Sequence, residues 1–185
     1  GYYNIGYVYF AQGDYSKALE YFEEVLKIRL SVYGENHSRV ASVYNDIGEI
    51  YSVQGDDFKA LDYFKKSLKI VLSVYGENHS QVSSIYDHIG EIYFAQKDYS
   101  KALYYFEESL KIRLSLFGEN HPEVALSYYS IGSLYIIQGD KSKALNYYEK
   151  SLKIRLSVYG ENHPLTKEIM DLINVANSKV LQSPE

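Results

Sequence analysis

Hydrophobic and polar residues follow one another along the chain with the spacing of helices. Tyr44, Ile47 and Tyr51 recur at intervals of three and four residues, which places them on one face of a helix. Gly55 and Asp56 then supply a helix stop and the N-cap of a second helix. Two apolar stripes on that second helix predict burial on two sides, the first comprising Ala60, Leu61, Phe64, Leu68, Val71, Leu72 and Tyr75 and the second Tyr63, Ile70 and Val74.

The whole pattern repeats every 42 residues. The segment Ser-Val-Tyr-Gly-Glu-Asn-His at 31–37 returns unchanged at 73–79 and 157–163, and with two substitutions at 115–121. Glycines stand 42 residues apart in two series, Gly6, Gly48, Gly90 and Gly132, then Gly34, Gly76, Gly118 and Gly160. This regularity indicates a stacked array of helical hairpins. We predict repeats at about 1–36, 37–78, 79–120 and 121–162.

The two ends of the chain differ from the internal copies. Residue 1 aligns with Val43, so the first helix lacks its opening turn, and we expect the chain to begin within a repeat of a longer array. Residues 164–181 take the place of another first helix, but Asn174 replaces the repeated glycine and Asn177 the tyrosine. We therefore predict a capping helix over 164–181 and a single helical-repeat domain over 1–181.

The small and aromatic residues of each copy resemble those of the tetratricopeptide repeat (TPR) family. That family's pattern is an aromatic residue, then Leu-Gly, then Tyr, with Ala and Phe one helix later. The match covers nearly the whole chain, and in the second copy it reads Tyr44, Ile47, Gly48, Tyr51, Ala60 and Phe64.

The length of the unit narrows the resemblance within the family. The usual TPR unit has 34 residues, whereas here the second helix continues for about two more turns before Gly-Glu-Asn-His. With its Gly-x-x-His-Pro-x-Val turn at 118–124, the unit is similar to the 42-residue repeats of kinesin light chains. The resemblance implies an all-α fold, a right-handed superhelix of about four helix-turn-helix repeats plus a C-terminal capping helix.

The same resemblance implies a concave groove lined by first helices. At about 100° per residue, the positions of Asn45, Glu49 and Ser52 lie well round from the core face. The core positions repeat nearly unchanged, while these vary, as expected if a non-repetitive partner is read along a repeated scaffold. We call the full set the groove positions: Tyr3, Tyr7, Phe10, Asn45, Glu49, Ser52, Asp87, Glu91, Phe94, Tyr129, Ser133 and Ile136.

The groove positions are aromatic at both ends and acidic in the middle. TPR domains that clamp a terminal carboxylate need Lys and Asn here, and this chain offers Asn45 without a lysine. It also lacks the basic groove with which kinesin light chains receive acidic peptides. We therefore predict a non-enzymatic scaffold that binds a protein or peptide segment with basic and apolar side chains. The alternatives are a structural or self-assembly spacer that pairs through its terminal helices, and a regulatory arm of a larger multidomain protein or motor complex.

Composition excludes several other classes of function. The net charge of −5 argues against a nucleic-acid partner, and no apolar run is long enough to span a membrane. Histidines at 37, 79, 121 and 163 invite a metal hypothesis, but their spacing favours turn residues that cap helices or pack under loops. His88 is expected to be exposed. We predict no catalytic residues, no metal and no cofactor, and a cytoplasmic location.

Overall fold

The computed structural model describes residues 1–178. Over this range the chain forms nine α-helices and no strand, so the predicted all-α helical-repeat fold is confirmed. The last three residues of the predicted capping helix, 179–181, lie outside the described residues. The helices are α1 (Tyr2–Ala11), α2 (Tyr15–Tyr33), α3 (Ser38–Val53), α4 (Asp57–Tyr75), α5 (Ser80–Ala95), α6 (Tyr99–Phe117), α7 (Pro122–Ile137), α8 (Lys141–Tyr159) and α9 (Pro164–Ser178).

Aspartate begins each second helix and glycine ends it. Asp56 caps α4 by accepting a hydrogen bond from the backbone N–H of Lys59 at 3.2 Å, and Asp14, Asp98 and Asp140 act in the same way in the other copies. α4 ends at Gly76, whose φ of 79° is a left-handed conformation that glycine adopts without strain. The predicted cap Asp56 is thus confirmed, and so is the predicted stop Gly55, which follows the last residues of α3 with a φ of 76°.

The turn histidines cap the first helices. His37 Nδ1 accepts a hydrogen bond from the backbone N–H of Arg39 at 3.1 Å, and its ring stacks on Tyr33 at 4.5 Å. The same cap and the same stacking on an aromatic residue four positions earlier occur at His79, His121 and His163. The structural interpretation of these histidines is confirmed.

The chain divides into two compact units, the first formed by Gly1–Ile92 and the second beginning at Tyr93. Within the first unit, α1 packs on α2, α2 on α3 and α3 on α4. Its core combines the small and aromatic repeat residues with branched aliphatics: Ala18, Phe22, Val25, Val43, Ile47 and Ile50. The two helices of a hairpin approach closely where the first helix carries glycine. A Cβ on Gly48 would lie only 2.8 Å from Phe64 Cε1.

The second unit repeats this packing from α6 onward. There α6 packs on α7, α7 on α8, and α8 on the capping helix α9. Its hairpin contact is equally close, since a Cβ on Gly132 would lie 2.7 Å from the Tyr148 ring. The small residue on the first helix and the aromatic residue on the second therefore have the same role in both units.

Candidate functional site

The first helix of the second repeat carries a polar edge beside its buried face. Val43, Ile47 and Ile50 of α3 are fully buried in the core of the first unit. Asn45 and Glu49 lie at the border of that face and are half-buried. Asn45 Nδ2 donates a hydrogen bond to Glu49 Oε1 at 2.6 Å. This contact fixes which end of the Asn45 amide faces Glu49 and leaves its Oδ1 turned elsewhere.

Asp46 brings a buried carboxylate to the same edge. Its side chain is only 8% exposed and accepts hydrogen bonds from the Tyr3 hydroxyl at 2.8 Å and the Tyr7 hydroxyl at 2.7 Å. Burial raises the pKa of Asp46, against the lowering effect of these two hydrogen bonds. Burial also raises the pKa of Tyr7. The groove positions Tyr3 and Tyr7 on α1 are thereby joined to α3.

The surroundings of Glu49 disfavour the ionised form of its carboxyl group. Burial, together with the negative charges of Asp46 and Glu91, raises the pKa of Glu49 to about 7. The hydrogen bond from Asn45 acts in the opposite direction. Desolvation of the carboxylate also raises the pKa of Glu91 on α5, although 68% of that side chain is exposed. The edge thus concentrates acidic groups that a nearby cation would stabilise.

His88 on α5 completes this edge, and the expectation that it is exposed is wrong. Its side chain is only 30% exposed, and its ring stacks on Phe64 with the centroids 5.0 Å apart and an angle of 5° between the planes. Its Nε2 lies 3.4 Å from Glu49 Oε1. The sequence suggested exposure because His88 stands alone among its neighbours, but the large ring of Phe64 offers a flat surface that covers one face of the imidazole.

A cavity of about 240 Å³ opens between these helices in the first unit. Two of its polar atoms, Asn45 Oδ1 and Gln81 Oε1, are buried and accept no hydrogen bond. Its wall is formed by parts of α1, α3, α4 and α5: Tyr3, Tyr7, Ser42, Asn45, Asp46, Ser67, Val71, Gln81, Ser84 and Ile85. Three groove positions, Tyr3, Tyr7 and Asn45, therefore meet at one cavity.

The other groove positions of the first unit are placed less uniformly. Phe10 is half-buried against the core and its ring lies 5.8 Å from Tyr15. Ser52 and Asp87 are half-buried, whereas Glu91 is exposed. Of this group, Glu91 and Glu49 are held near the same residue, His88. Phe10 contributes mainly to packing.

In the second unit the groove positions lie in several different environments. The Tyr129 hydroxyl donates a hydrogen bond to Glu168 at 3.1 Å, and the Ser133 hydroxyl lies 3.1 Å from the Tyr148 hydroxyl. Ile136 lines an apolar cavity of about 190 Å³ with Leu172 and Val175 of α9. Phe94, like Phe10, packs against a partly buried aromatic residue, in this case Tyr99. The structure does not test whether any of the groove positions binds a partner, so that assignment stays a prediction.

Several residues of the cavity wall escape the argument from helix periodicity. Asp46 is absent from the groove positions because it neighbours the core face of α3. Val71 is absent because it lies on a second helix, and Gln81 because it lies in the first turn of α5. A comparison of equivalent positions 42 residues apart would have singled out Val71 and Asp46, because both differ from the other copies. Val71 stands where the other copies have arginine, and Asp46 stands where they have Asn4, His88 and Ser130.

Among residues 1–178, no group of three His, Asp or Glu side chains is placed to hold a metal ion. Within the same range, every helix is too short or too polar to cross a bilayer.

The fold and the hairpin contacts define an α-helical repeat protein of the interaction-scaffold class. A family model described as tetratricopeptide repeat matches residues 1–72, 39–115 and 82–157, which together span most of the chain. The chain belongs to the tetratricopeptide repeat family. No curated protein sequence matches it significantly.

Solved structures share the fold. The structure of BtubC (BKLC) from P. vanneervenii is 27% identical with a TM-score of 0.78, and the alignment covers 88% of this chain and 65% of BtubC. The TPR-like repeats described as a P. anserina kinesin light chain are 15% identical with a TM-score of 0.75, over 98% of this chain and 96% of theirs. The apo form of RapI is 18% identical with a TM-score of 0.82, over 97% of this chain and 63% of RapI.

The predicted likeness to kinesin light chain repeats is thus confirmed at the level of the fold. The chain spans just under two thirds of the length of BtubC and of RapI.

Proposed function

We propose that this chain is a non-enzymatic scaffold that binds a peptide or partner segment carrying basic and apolar side chains. The observation that supports the proposal is the polar edge of α3 and α5 in the first unit, which we call the acidic edge because it carries Asp46, Glu49 and Glu91. There, Asp46 and Glu49 hold negative charge in a poorly solvated place, and burial raises the pKa of both. A cationic side chain that arrived at this edge would stabilise the ionised carboxylates. The tyrosines of α1 and the half-buried first-helix surfaces supply apolar area beside it.

Titrating the protein with a basic and an acidic peptide library of matched length, read by fluorescence polarisation, tests the proposal. We expect the basic library to bind and the acidic library to bind more weakly, with an affinity that falls as salt is raised. Preferential binding of acidic peptides would remove the electrostatic premise.

Charge-reversal variants locate the site. Glu49→Lys and Glu91→Lys should each weaken binding of the basic library. Glu77→Lys makes the same charge change at an exposed position in the turn between α4 and α5, and it should leave binding within about twofold, since a distant surface charge is screened. Binding that survives both edge reversals would place the site elsewhere.

A second candidate function is self-assembly, which exposed apolar residues on terminal helices favour. Ile5 and Val8 on α1 and Val175 on α9 are exposed. Light scattering across a concentration series tests this alternative: a molar mass that rises with concentration supports it, and a constant monomer mass contradicts it. A regulatory arm of a larger protein remains a third proposal, and the cytoplasmic location stays a prediction.

A further inference from the structure

One position of the repeat changes from arginine to valine in a single copy. Arg29, Arg113 and Arg155 stand at equivalent positions of the second helix, and Val71 stands at the same position in the second repeat. Equivalent positions in an array share their surroundings, so the arginines show what the neighbourhood of Val71 is shaped to hold.

Each of these arginines links the second helix of its own repeat to the first helix of the next repeat. Arg29 Nη1 donates a hydrogen bond to the carbonyl oxygen of Arg39 at 2.6 Å, and its guanidinium lies 4.3 Å from the ring centre of Tyr3. Arg155 Nη1 donates to the carbonyl oxygen of Leu165 at 2.5 Å, and its guanidinium lies 5.0 Å from the ring centre of Tyr129. The two guanidinium groups therefore occupy the same place in different copies.

Arg113 shows which side chains serve as acceptors there. Its Nη1 donates a hydrogen bond to Ser127 Oγ at 2.7 Å, and its Nη2 lies 2.8 Å from Glu123 Oε2. The side chain is buried. Glu123 is the copy of Gln81, so Gln81 stands where a guanidinium partner stands in the next repeat.

The second repeat lacks both the guanidinium and the ring beneath it. Val71 replaces the arginine, and Asn45 replaces the tyrosine found at positions 3 and 129. The space left by these two smaller side chains is the cavity of about 240 Å³ beside Asp46. This volume is below the roughly 300–1,000 Å³ of small-molecule pockets and suits a single side chain better than a cofactor.

The cavity presents acceptors and lacks a donor to satisfy them. Asn45 Oδ1 and Gln81 Oε1 are buried without a hydrogen-bond partner, a state that costs free energy unless a ligand or water relieves it. The carboxylate of Asp46 lies in the same wall and is 8% exposed. Tyr7 is 41% exposed and Ser84 is also exposed, so the cavity communicates with the surface.

We infer that this cavity receives an arginine side chain of the bound partner, in the place that the array's own arginines fill in the other copies. The inference rests on the proposed peptide-binding function and names its specificity. Arginine suits the site better than lysine, because its planar fork of donors matches several fixed acceptors, here Asn45 Oδ1 and Gln81 Oε1.

The first test uses Nα-acetyl-arginine amide as the probe, with the side-chain amide resonances of Asn45 and Gln81 followed by NMR. Nα-acetyl-citrulline amide is the matched control, because it keeps the length and the planar group but carries no charge. We expect saturable shifts with the arginine probe and binding weaker by about tenfold or more with citrulline, since hydrogen bonds with a charged donor are stronger than those with a neutral one. Equal binding of the two probes, or no saturation because the cavity holds water only, would overturn the inference.

The second test fills the cavity with the residue of the other copies. Val71→Arg should keep its helical circular dichroism and abolish the shifts caused by the arginine probe. It should also weaken the best basic peptide by about tenfold or more, because the introduced guanidinium takes the same acceptors. Val71→Leu adds one methylene and no charge, and it should keep binding within about threefold. Unchanged probe binding in folded Val71→Arg contradicts the inference.

The two proposals fail in different ways. If no basic peptide binds, the proposed function fails, while the arginine probe still reports on the cavity. If basic peptides bind but tolerate replacement of every arginine by citrulline, the cavity assignment fails and the scaffold function stands.

Discussion

At the scale of single residues, the ionisation of Glu49 affects the stability of the first unit near neutral pH. Its pKa of about 7 lies above the ordinary value of 4.5, so the folded state disfavours the ionised form. For a carboxyl with a raised folded pKa, stability is highest below about pH 4.5 and declines as the pH rises through about 7. Glu49 therefore contributes a penalty at neutral pH and above.

We predict that Glu49→Gln raises the free energy of unfolding at pH 8 by about 1–2 kcal/mol. This is less than the full shift implies, because 32% of the side chain is exposed to solvent. Urea unfolding at pH 5 and pH 8 measures the change, and the gain should nearly vanish at pH 5. Glu77→Gln, in an exposed turn, is the control. An equal gain at both pH values would show that charge is not the cause.

Gly48 lies where the hairpin of α3 and α4 leaves no room for a side chain. A Cβ there would lie 2.8 Å from Phe64 Cε1, and the Phe64 side chain is fully buried. Alanine gains up to about 1 kcal/mol over glycine inside a helix, whereas forcing a methyl group into a packed core costs about 1–3 kcal/mol.

We therefore predict that Gly48→Ala destabilises the protein by about 1–2 kcal/mol, measured by chemical denaturation. In a Phe64→Leu background the same change should cost less, because the smaller side chain removes the close contact. A stabilising effect of Gly48→Ala in the wild-type chain would mean that the helices separate at little cost.

At the scale of elements, the turn between repeats depends on one histidine for two contacts. His79 Nδ1 accepts a hydrogen bond from the backbone N–H of Gln81 at 3.2 Å, and its ring stacks on Tyr75 at 4.2 Å. A side-chain cap contributes about 1 kcal/mol and an aromatic pair about 0.5–1.5 kcal/mol.

We predict that His79→Ala costs about 1–2 kcal/mol of unfolding free energy. His79→Asn keeps a capping acceptor without the ring, so it should recover roughly half of the loss. Hydrogen exchange at the start of α5 provides the local measurement, and exchange there should quicken in the alanine variant. Unchanged exchange would mean that the cap does not hold the helix end.

The helices themselves were predictable because helix caps, helix stops and hydrophobic periodicity depend only on residues close together in the sequence. Asp56 and Gly76 mark the ends of α4 in the sequence, and Gly48 and Phe64 mark its contact with α3. The candidate site was only partly predictable. Position on a helix gave Asn45 and Glu49, but the contact of Asp46 with Tyr3 and Tyr7 depends on how two hairpins pack. The cavity at Val71 arises from side chains that are smaller than in the other copies, which periodicity within one helix does not show.

At the scale of the whole molecule, binding and protonation are linked at the acidic edge. Glu49 is approached by Asn45 and Asp46 of its own helix and by His88 and Glu91 of α5. A cationic partner binds the ionised form of Glu49 more tightly, so binding lowers its pKa and releases protons near pH 7.

We predict that the affinity for the best basic peptide rises by about threefold to tenfold from pH 6 to pH 8. A single titrating group can change the affinity by at most about tenfold per pH unit. Isothermal titration calorimetry in two buffers of different ionisation enthalpy measures the protons released. Glu49→Gln should flatten the pH profile while leaving the peptide bound. A pH profile that stays steep in Glu49→Gln would assign the effect to His88 or to another carboxyl.

The valine at position 71 has a consequence for how such arrays change their targets. Because each copy has the same framework, the location of a receptor for a cationic group depends on which copy lacks its internal arginine and the accompanying ring. Exchanging those two side chains together with the acceptors at the positions of Asp46 and Gln81, for example Arg155→Val and Tyr129→Asn with Ser130→Asp and Leu165→Gln, would relocate the receptor by whole 42-residue steps. The position at which the scaffold binds a cationic side chain would then change from one repeat to another, while the fold stays the same.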